Sequence, residues 1–151
     1  MSGVRIDHDA WVLVGDGEKA LVFRNEGDAD YPNLQVVQIL EHENPATREQ
    51  GTDAPGRLSD GPTSQHKSAV EVTDWHKLEK HRFAKEIADA LYKAAHKGRY
   101  SKLVVAAPPM TLGDLRKSFH KEVLSRIVAE VDKTLTGHPP SKIEQILSTK
   151  D

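Results

Sequence analysis

The stretch Lys102-Leu103-Val104-Val105-Ala106-Ala107-Pro108-Pro109 decides the fold of this chain. It is an almost unbroken apolar run between two segments of helical periodicity. A strand covered on both faces has this pattern because neither face meets water. The prolines end the run, since proline cannot donate a ladder hydrogen bond and fixes its own φ. We therefore predict the central strand of an α/β sheet here.

Length and composition limit the class of protein. The 151 residues suit one domain with a real core, and 37% apolar with 29% charged residues is typical of a globular chain. The absence of cysteine excludes a disulfide framework, a thiolate metal site and a cysteine nucleophile. No signal peptide or apolar window of roughly 20 residues is visible. We expect a single α/β domain over 1–151 that is cytoplasmic and has no membrane span.

The net charge of −2 conceals an asymmetry. Residues 1–75 contain 6 Lys/Arg and 14 Asp/Glu, a balance of −8. Residues 76–126 contain 12 and 5, a balance of +7, and residues 127–151 contain 3 and 4, a balance of −1. The middle third therefore suits an anionic partner, although acidic and basic parts that face each other or solvent would give the same composition.

Three β-rich segments open the chain, at 10–14, 20–24 and 34–40. Asp16-Gly17 between the first two predicts a hairpin turn in which Gly17 takes a positive φ. From about 41 to 75, glycine and proline lie among polar residues without any period. We predict a long polar loop there, and loops of this length are either functional or disordered.

Residues 76–97 form the clearest predicted helix, with Asp74 as N-cap and Gly98 as the stop. Phe83, Ile87 and Leu91 repeat at four and give an apolar stripe for the sheet. A second ridge, mostly positive, also repeats at four and consists of Lys77, His81, Lys85, Asp89, Lys93 and Lys97. It is either a nucleic-acid contact surface or an ordinary solvated face.

The C-terminal part contains one ambiguous segment. Thr111 is the predicted N-cap of the next helix, with Asp114 three residues on, and residues 141–148 predict a closing helix after Pro139-Pro140. Residues 127–133 fit both a helix that repeats at four and an alternating strand. With the strand, the order of a mixed five-stranded sheet becomes 3-2-1-4-5 with helices on both faces, which is the ribonuclease H-like arrangement.

Short stretches in order along nearly the whole chain resemble the bacterial host-attachment proteins. These stretches are 11–17, 20–23, 55–57, 83–88, 103–109, 112–116, 131–136 and the segment at Pro139. That family is in turn similar to the middle domain of the class-1 peptide release factors, which has a ribonuclease H-like core. The resemblance implies that residues 127–133 are a strand. It does not imply activity, because fold and function separate easily.

A hydrolase is the alternative class that the scaffold permits. A two-metal nuclease needs several carboxylates at the strand ends, and Asp16, Glu79 or Glu86, and Asp132 are the candidates. The central strand, however, ends in Ala-Ala-Pro-Pro where an acid is wanted. The release-factor resemblance implies a Gly-Gly-Gln tip for peptidyl-tRNA hydrolysis, but Gln65 here lacks the paired glycines. Neither reaction is favoured.

Metal and acyl-transfer sites have weak support. Among the 8 histidines, His76 and His81 are five apart, about 140° around a helix, so they do not converge. Asp60, Ser64 and His66 match a catalytic triad only by residue type, without a nucleophile-elbow motif. We therefore expect no metal and no cofactor.

Our first hypothesis is a non-catalytic binding protein that contacts RNA or the ribosome, or a protein partner, through the 41–75 loop and the basic helix. Phosphate contacts would weaken steeply with salt. Homo-oligomerisation through an exposed sheet edge is a third hypothesis. The candidate binding residues are Arg57, Gln65, Lys67, Lys77, Lys80, Arg82 and Lys85.

Overall fold

A computed structural model describes residues 4–41 and 69–148, of which 69–77 are described by their backbone alone. The elements are β1 (Trp11–Gly15), β2 (Lys19–Asn25), β3 (Leu34–Glu41), α1 (Ala69–His96), β4 (Leu103–Ala106), α2 (Pro109–Ser118), α3 (Lys121–Leu124), β5 (Ile127–Val131) and α4 (Pro140–Ser148). The predicted order of strands and helices is confirmed, except that the one helix predicted between β4 and β5 is divided into α2 and α3. Within the described ranges, no helix is long and apolar enough to cross a membrane.

The strands form one five-stranded sheet in the order β3-β2-β1-β4-β5. β1 pairs antiparallel with β2 and parallel with β4, and β4 pairs parallel with β5. β2 and β3 pair antiparallel around a bulge, because Val22 faces Gln38 whereas Phe23 faces Val36, which leaves Val37 as the extra residue. This mixed sheet confirms the predicted order.

The ambiguous segment is a strand. β5 places Ile127 opposite Leu103 of β4, and its side chains alternate between half-buried and exposed. The short helix α3 ends before it, and the Arg126 N–H closes the turn on the Val123 carbonyl at 3.0 Å. The strand satisfies the outer backbone groups of β4, which a continued helix would leave unpaired. The pairing of the β4 edge therefore decides between the two periods in favour of the strand.

The sheet separates two apolar cores, as successive side chains of a strand point to opposite faces. On one face Leu13 and Val105 pack with the α1 stripe that includes Phe83 and Ile87, and α2 and α3 complete this core. On the other face the core consists of Ile6, Ala10, Val12, Val14, Phe23, Leu34, Val104, Ala106, Leu135, Ile143 and Leu147. The predicted three-layer arrangement is confirmed.

Truncation of Leu13 tests the first core. Leu13 is fully buried in β1, so Leu13→Ala should lower the free energy of unfolding by about 2–5 kcal/mol in urea denaturation. Leu124→Ala is the matched control, because that side chain is 41% exposed at the end of α3. Its cost should stay below about 1 kcal/mol. Equal losses for the two variants would contradict the layer assignment.

The sequence predicted the C-terminal end of α1 correctly but not its N-terminal end. The helix begins at Ala69, so the predicted start at His76 and the predicted N-cap Asp74 are wrong, and the last part of the predicted loop is helical. Propagation of a formed helix overrides the weak propensity of the residues before it. At the other end, Gly98 has φ +72°, its N–H bonds to the Ala95 carbonyl, and Arg99 N–H bonds to Ala94. The predicted stop is confirmed as a left-handed C-terminal turn.

The segment before β1 is fastened to the second core and to β4. Ile6 is buried, and the Val4 N–H bonds to the Leu147 carbonyl at 2.7 Å. The Asp7 carboxylate pairs with the Lys102 ammonium and with Arg5 at 2.8 Å. The hydrogen bond from Lys102 holds the pKa of Asp7 below its usual range, and Arg5 adds to this effect.

Replacement of Lys102 should remove the main cause of the low pKa of Asp7. In Lys102→Met the pKa of Asp7 should rise toward its usual value, as measured by NMR titration of the carboxyl carbon. Because the folded-state pKa is depressed, the stabilisation from this pair is present above the unfolded-state pKa and is lost as pH falls through the folded-state pKa. The pKa of Asp7 should stay depressed in Lys142→Met, whose side chain is exposed on α4. An unchanged Asp7 pKa in Lys102→Met would contradict the pairing.

Candidate nucleic-acid interface

The carboxyl ends of β1, β4 and β5 meet at one edge of the sheet, and ligands of open α/β sheets bind at this edge. The edge carries the β1–β2 turn, the start of α2 and the segment after β5. The 28 residues of α1 extend over about 42 Å, whereas the five residues of β1 extend over about 17 Å. The N-terminal part of α1 therefore reaches beyond the sheet at this edge.

Asp16 organises the turn between β1 and β2. Its Oδ1 accepts hydrogen bonds from the N–H groups of Glu18 at 2.7 Å and Lys19 at 2.8 Å. Its Oδ2 accepts from the Thr136 hydroxyl at 2.8 Å, which ties the turn to the segment after β5. Both carboxylate oxygens are thus used within the fold, so Asp16 has the structural role that its place in the turn indicates.

Gly17 does not adopt the positive φ that the hairpin motif predicts. In the described ranges, only Asp9 and Gly98 do so. A Cβ at Gly17 would lie 2.8 Å from Cε and 2.9 Å from Cδ of Lys80. The glycine therefore leaves room for the Lys80 side chain to cross the turn, and close approach is its physical role here.

Removal of the Asp16 carboxylate tests its structural role. Asp16→Ala should lower the free energy of unfolding by about 1–2 kcal/mol in urea denaturation, because two turn N–H groups and the Thr136 hydroxyl lose their acceptor. Asp16→Asn keeps one side-chain oxygen for the turn and should lose less. If Asp16→Ala were as stable as the wild type, the carboxylate would be free for another purpose.

The described candidate cations do not share one face of α1. Lys80, Arg82 and Lys85 are all exposed. Lys80 and Arg82 are two residues apart, so they point about 160° away from each other, whereas Arg82 and Lys85 are only about 60° apart. Arg82 also pairs with Glu79 at 3.2 Å. The structure thus brings Arg82 and Lys85 together and places Lys80 separately, over the β1–β2 turn.

The predicted positive ridge is partly neutralised. His81 lies 3.2 Å from Asp114 of α2, a pair that is ionic only when the imidazole is protonated. Lys93 pairs with Asp89 at 3.1 Å. Lys85 and Lys97 have no side-chain partner among the described residues. The ridge therefore offers fewer uncompensated charges than its sequence indicates.

All of the candidate binding residues stay predictions, and four of them have no described side chain. Arg57, Gln65 and Lys67 lie outside the described residues, and Lys77 is described by its backbone alone. The triad candidates Asp60, Ser64 and His66 also lie outside. The predicted loop from about 41 to 75 is thus described only at its two ends, where β3 finishes and α1 begins.

The start of α2 is the feature that the sequence analysis missed. The helix begins at Pro109 with Pro108 as N-cap and no side-chain cap bond, so Thr111 is not the N-cap. Pro109 occupies the first helical position, where its fixed φ suits the helix and its missing N–H costs nothing. The two consecutive prolines are the feature of the sequence that indicates this helix start. Uncapped N–H groups give this end of α2 a partial positive charge that attracts anions.

The carboxylates proposed for a nuclease do not converge. Asp132 is exposed after β5, and β4 lies between β5 and β1, which puts Asp132 and Asp16 on strands about 10 Å apart. β4 ends at Ala106, and both Ala106 and the following Ala107 are buried. Glu79 is buried and pairs with Arg82. Over residues 4–41 and 69–148, no three His, Asp or Glu side chains are grouped as metal ligands.

Sequence comparison supplies the family. The model of the bacterial archaeo-eukaryotic release factor family 12 matches residues 9–147. This chain belongs to that family. The match spans every strand and helix up to the last turn of α4. A search of curated proteins finds no match.

Solved structures similar to this family-12 chain include two translation factors. The archaeal translation termination factor aRF1 has a TM-score of 0.44 and 12% identity over 80% of this chain and 29% of its own. An archaeal protein has a TM-score of 0.43 and 12% identity over 95% and 37%. Dom34 of S. cerevisiae, a translation termination-like factor that interacts with Hbs1, has a TM-score of 0.39 and 12% identity over 96% and 37%. The chain spans about a third of the length of these proteins.

Proposed function

We propose that this family-12 protein is a non-catalytic binding protein that contacts structured RNA, in the context of the ribosome. The observation that carries the proposal is the position of Lys80, which crosses the β1–β2 turn at the carboxyl edge of the sheet. The uncapped start of α2 lies at the same edge, after β4. Lysine ammonium groups and helix N-termini both bind phosphate oxygens.

Further cations extend this surface along α1. Arg82 and Lys85 are exposed on the side of the helix away from Lys80, so an RNA that contacts all three would have to wrap around the helix end. Lys77, Arg57, Gln65 and Lys67 are proposed to add to it from the preceding segment. A protein partner on the same surface is the alternative occupant. The family match supports a role in translation, and we place the protein in the cytoplasm for that reason.

The chemistry of the described edge supports binding rather than hydrolysis. Asp16 is used within the turn, and the central strand presents alanine and proline where a nuclease would need an acid. Peptidyl-tRNA hydrolysis is the second candidate, and the release-factor family favours it. It would require Gln65. Under either candidate function, the host-attachment role that the resemblance to the host-attachment proteins implies would be an indirect effect of translation.

Salt dependence of RNA binding tests the first candidate. The protein should bind ribosomal RNA at low salt, measured by filter binding, and lose affinity steeply as salt rises. Lys80→Glu with Lys85→Glu should weaken binding at least tenfold and reduce the slope of log K against log salt by about 2. Arg82 is left unchanged because its guanidinium pairs with Glu79.

A control variant has the same change of charge elsewhere. Lys117→Glu with Lys142→Glu alters two exposed lysines away from the proposed surface and should bind RNA as the wild type does. RNA binding that is absent at low salt, or equally weakened in both variants, would contradict the proposal. Hydrolysis of peptidyl-tRNA that disappears in Gln65→Ala would establish the second candidate instead.

A further inference from the structure

A groove lies between the edge strand β3 and the C-terminal half of α1, at the end of the helix far from Lys80. Its volume is about 440 Å³, within the range of about 300–1,000 Å³ that is common for small-molecule sites. Ala90 and Ala94 of α1 face Val37 and Gln38 of β3 across it, and Trp11 of β1 also lines it. The groove exists because two small side chains, four residues apart, leave the space beside β3 unfilled.

Trp11 contributes an aromatic surface to the groove. The residue is 4% exposed and its indole stacks on Tyr100 with ring centroids 4.7 Å apart. The Nε1–H is buried, so a ligand in the groove would meet the indole ring and not this N–H. Tyr100 is held in turn by its hydroxyl, which donates to the Leu91 carbonyl at 2.9 Å.

The charges around the groove are mostly positive. Lys93, Lys97 and Arg99 line it together with one acid, Asp89. Asp89 is paired with Lys93 at 3.1 Å, and Lys97 and Arg99 have no side-chain partner in the described ranges. The left-handed turn at Gly98 separates these two residues and reverses the chain between them. Two uncompensated cations therefore line the groove together with the indole ring of Trp11.

We propose that this groove binds a small organic phosphate monoester, with the phosphate on Lys97 and Arg99 and the organic part against Trp11, Val37 and Ala94. A phosphate monoester has a charge of about −1.5 to −2 at pH 7, which matches two cations, and its oxygens can accept from both of them. A carboxylate has one charge and would leave one of the two cations uncompensated. The amide of Gln38 offers a further polar contact.

This site is separate from the proposed RNA surface. Lys80 lies on α1 and Lys97 directly follows its last residue, 17 positions further on, which corresponds to about 25 Å along a helix axis. Variants of one surface should therefore leave the other unaffected. The phosphate site does not depend on whether the protein binds RNA.

Tryptophan fluorescence reads the site directly. The chain has two tryptophans, so Trp75→Phe leaves Trp11 as the sole reporter. Adenosine monophosphate is the probe, and it should change Trp11 fluorescence saturably. Adenosine, inorganic phosphate and succinate are compared at the same concentrations, and each should bind at least tenfold more weakly. Adenosine lacks the phosphate, inorganic phosphate lacks the organic part, and succinate has its two charges on separate carboxylates. Calorimetry on the wild-type protein repeats the titration if Trp75→Phe does not fold.

Charge reversal supplies the decisive comparison. Lys97→Glu and Arg99→Glu should each weaken the binding of adenosine monophosphate at least tenfold, since both side chains are exposed and the fold does not depend on them. Lys142→Glu, on the opposite face of the sheet, should bind as the wild type does. No saturable change up to millimolar probe, equal binding of adenosine or succinate, or equal weakening by Lys142→Glu would overturn the proposal.

Discussion

The parallel pairing of β1 with β4 is the interaction on which the rest of the structure depends. Four consecutive pairs, from Trp11 with Leu103 to Val14 with Ala106, join segments about ninety residues apart in sequence. Every one of these side chains is buried, and alternate ones enter opposite cores. A parallel pair needs a long connection, and α1 supplies it while covering one face. Both layers of helices are therefore placed by this single pairing.

The same pairing gives α1 two ends with different surroundings. One end reaches past the carboxyl edge of the sheet, where Lys80 crosses the β1–β2 turn. The other ends at Gly98 near the amino edge, beside β3 and Trp11. The apolar stripe between them fixes the helix on the sheet, so positive side chains at its two ends cannot act on one small ligand. A single basic segment in the sequence thus becomes two separate surfaces.

The sequence predicted the elements whose positions depend on the burial of apolar side chains. The continuous apolar run of β4 and the stripe of Phe83, Ile87 and Leu91 both indicate which faces are buried. Alternation at 127–131 left two readings open, because a short amphipathic segment satisfies both periods, and only the unpaired edge of β4 decides between them. The start of α1 at Ala69 was missed because propensity near helix ends is weak.

The site was less predictable because it depends on contacts between distant residues. Nothing in the spacing of Gly17 and Lys80 indicates that one makes room for the other. The Asp-Gly motif therefore predicted the hairpin turn correctly. It did so for the wrong reason, because Gly17 is needed for the close approach of Lys80 and not for a positive φ. Likewise, the sequence of the ridge on α1 suggests that its charges have no partner, whereas the structure places Asp114 of α2 beside His81. The loop residues Arg57, Gln65 and Lys67 stay predictions.

The extra residue in β3, Val37, affects how readily the edge of the sheet can pair with another copy of the chain. β3 is an edge strand of eight residues without lysine or proline, and Val36, Val37 and Ile39 are 41–56% exposed. Such an edge would ordinarily template growth of a sheet from one molecule to the next. The bulge at Val37 interrupts the straight row of backbone donors and acceptors and increases the local twist. A single inserted residue thereby makes this edge a poorer template for another strand, without a charged side chain in the middle of β3.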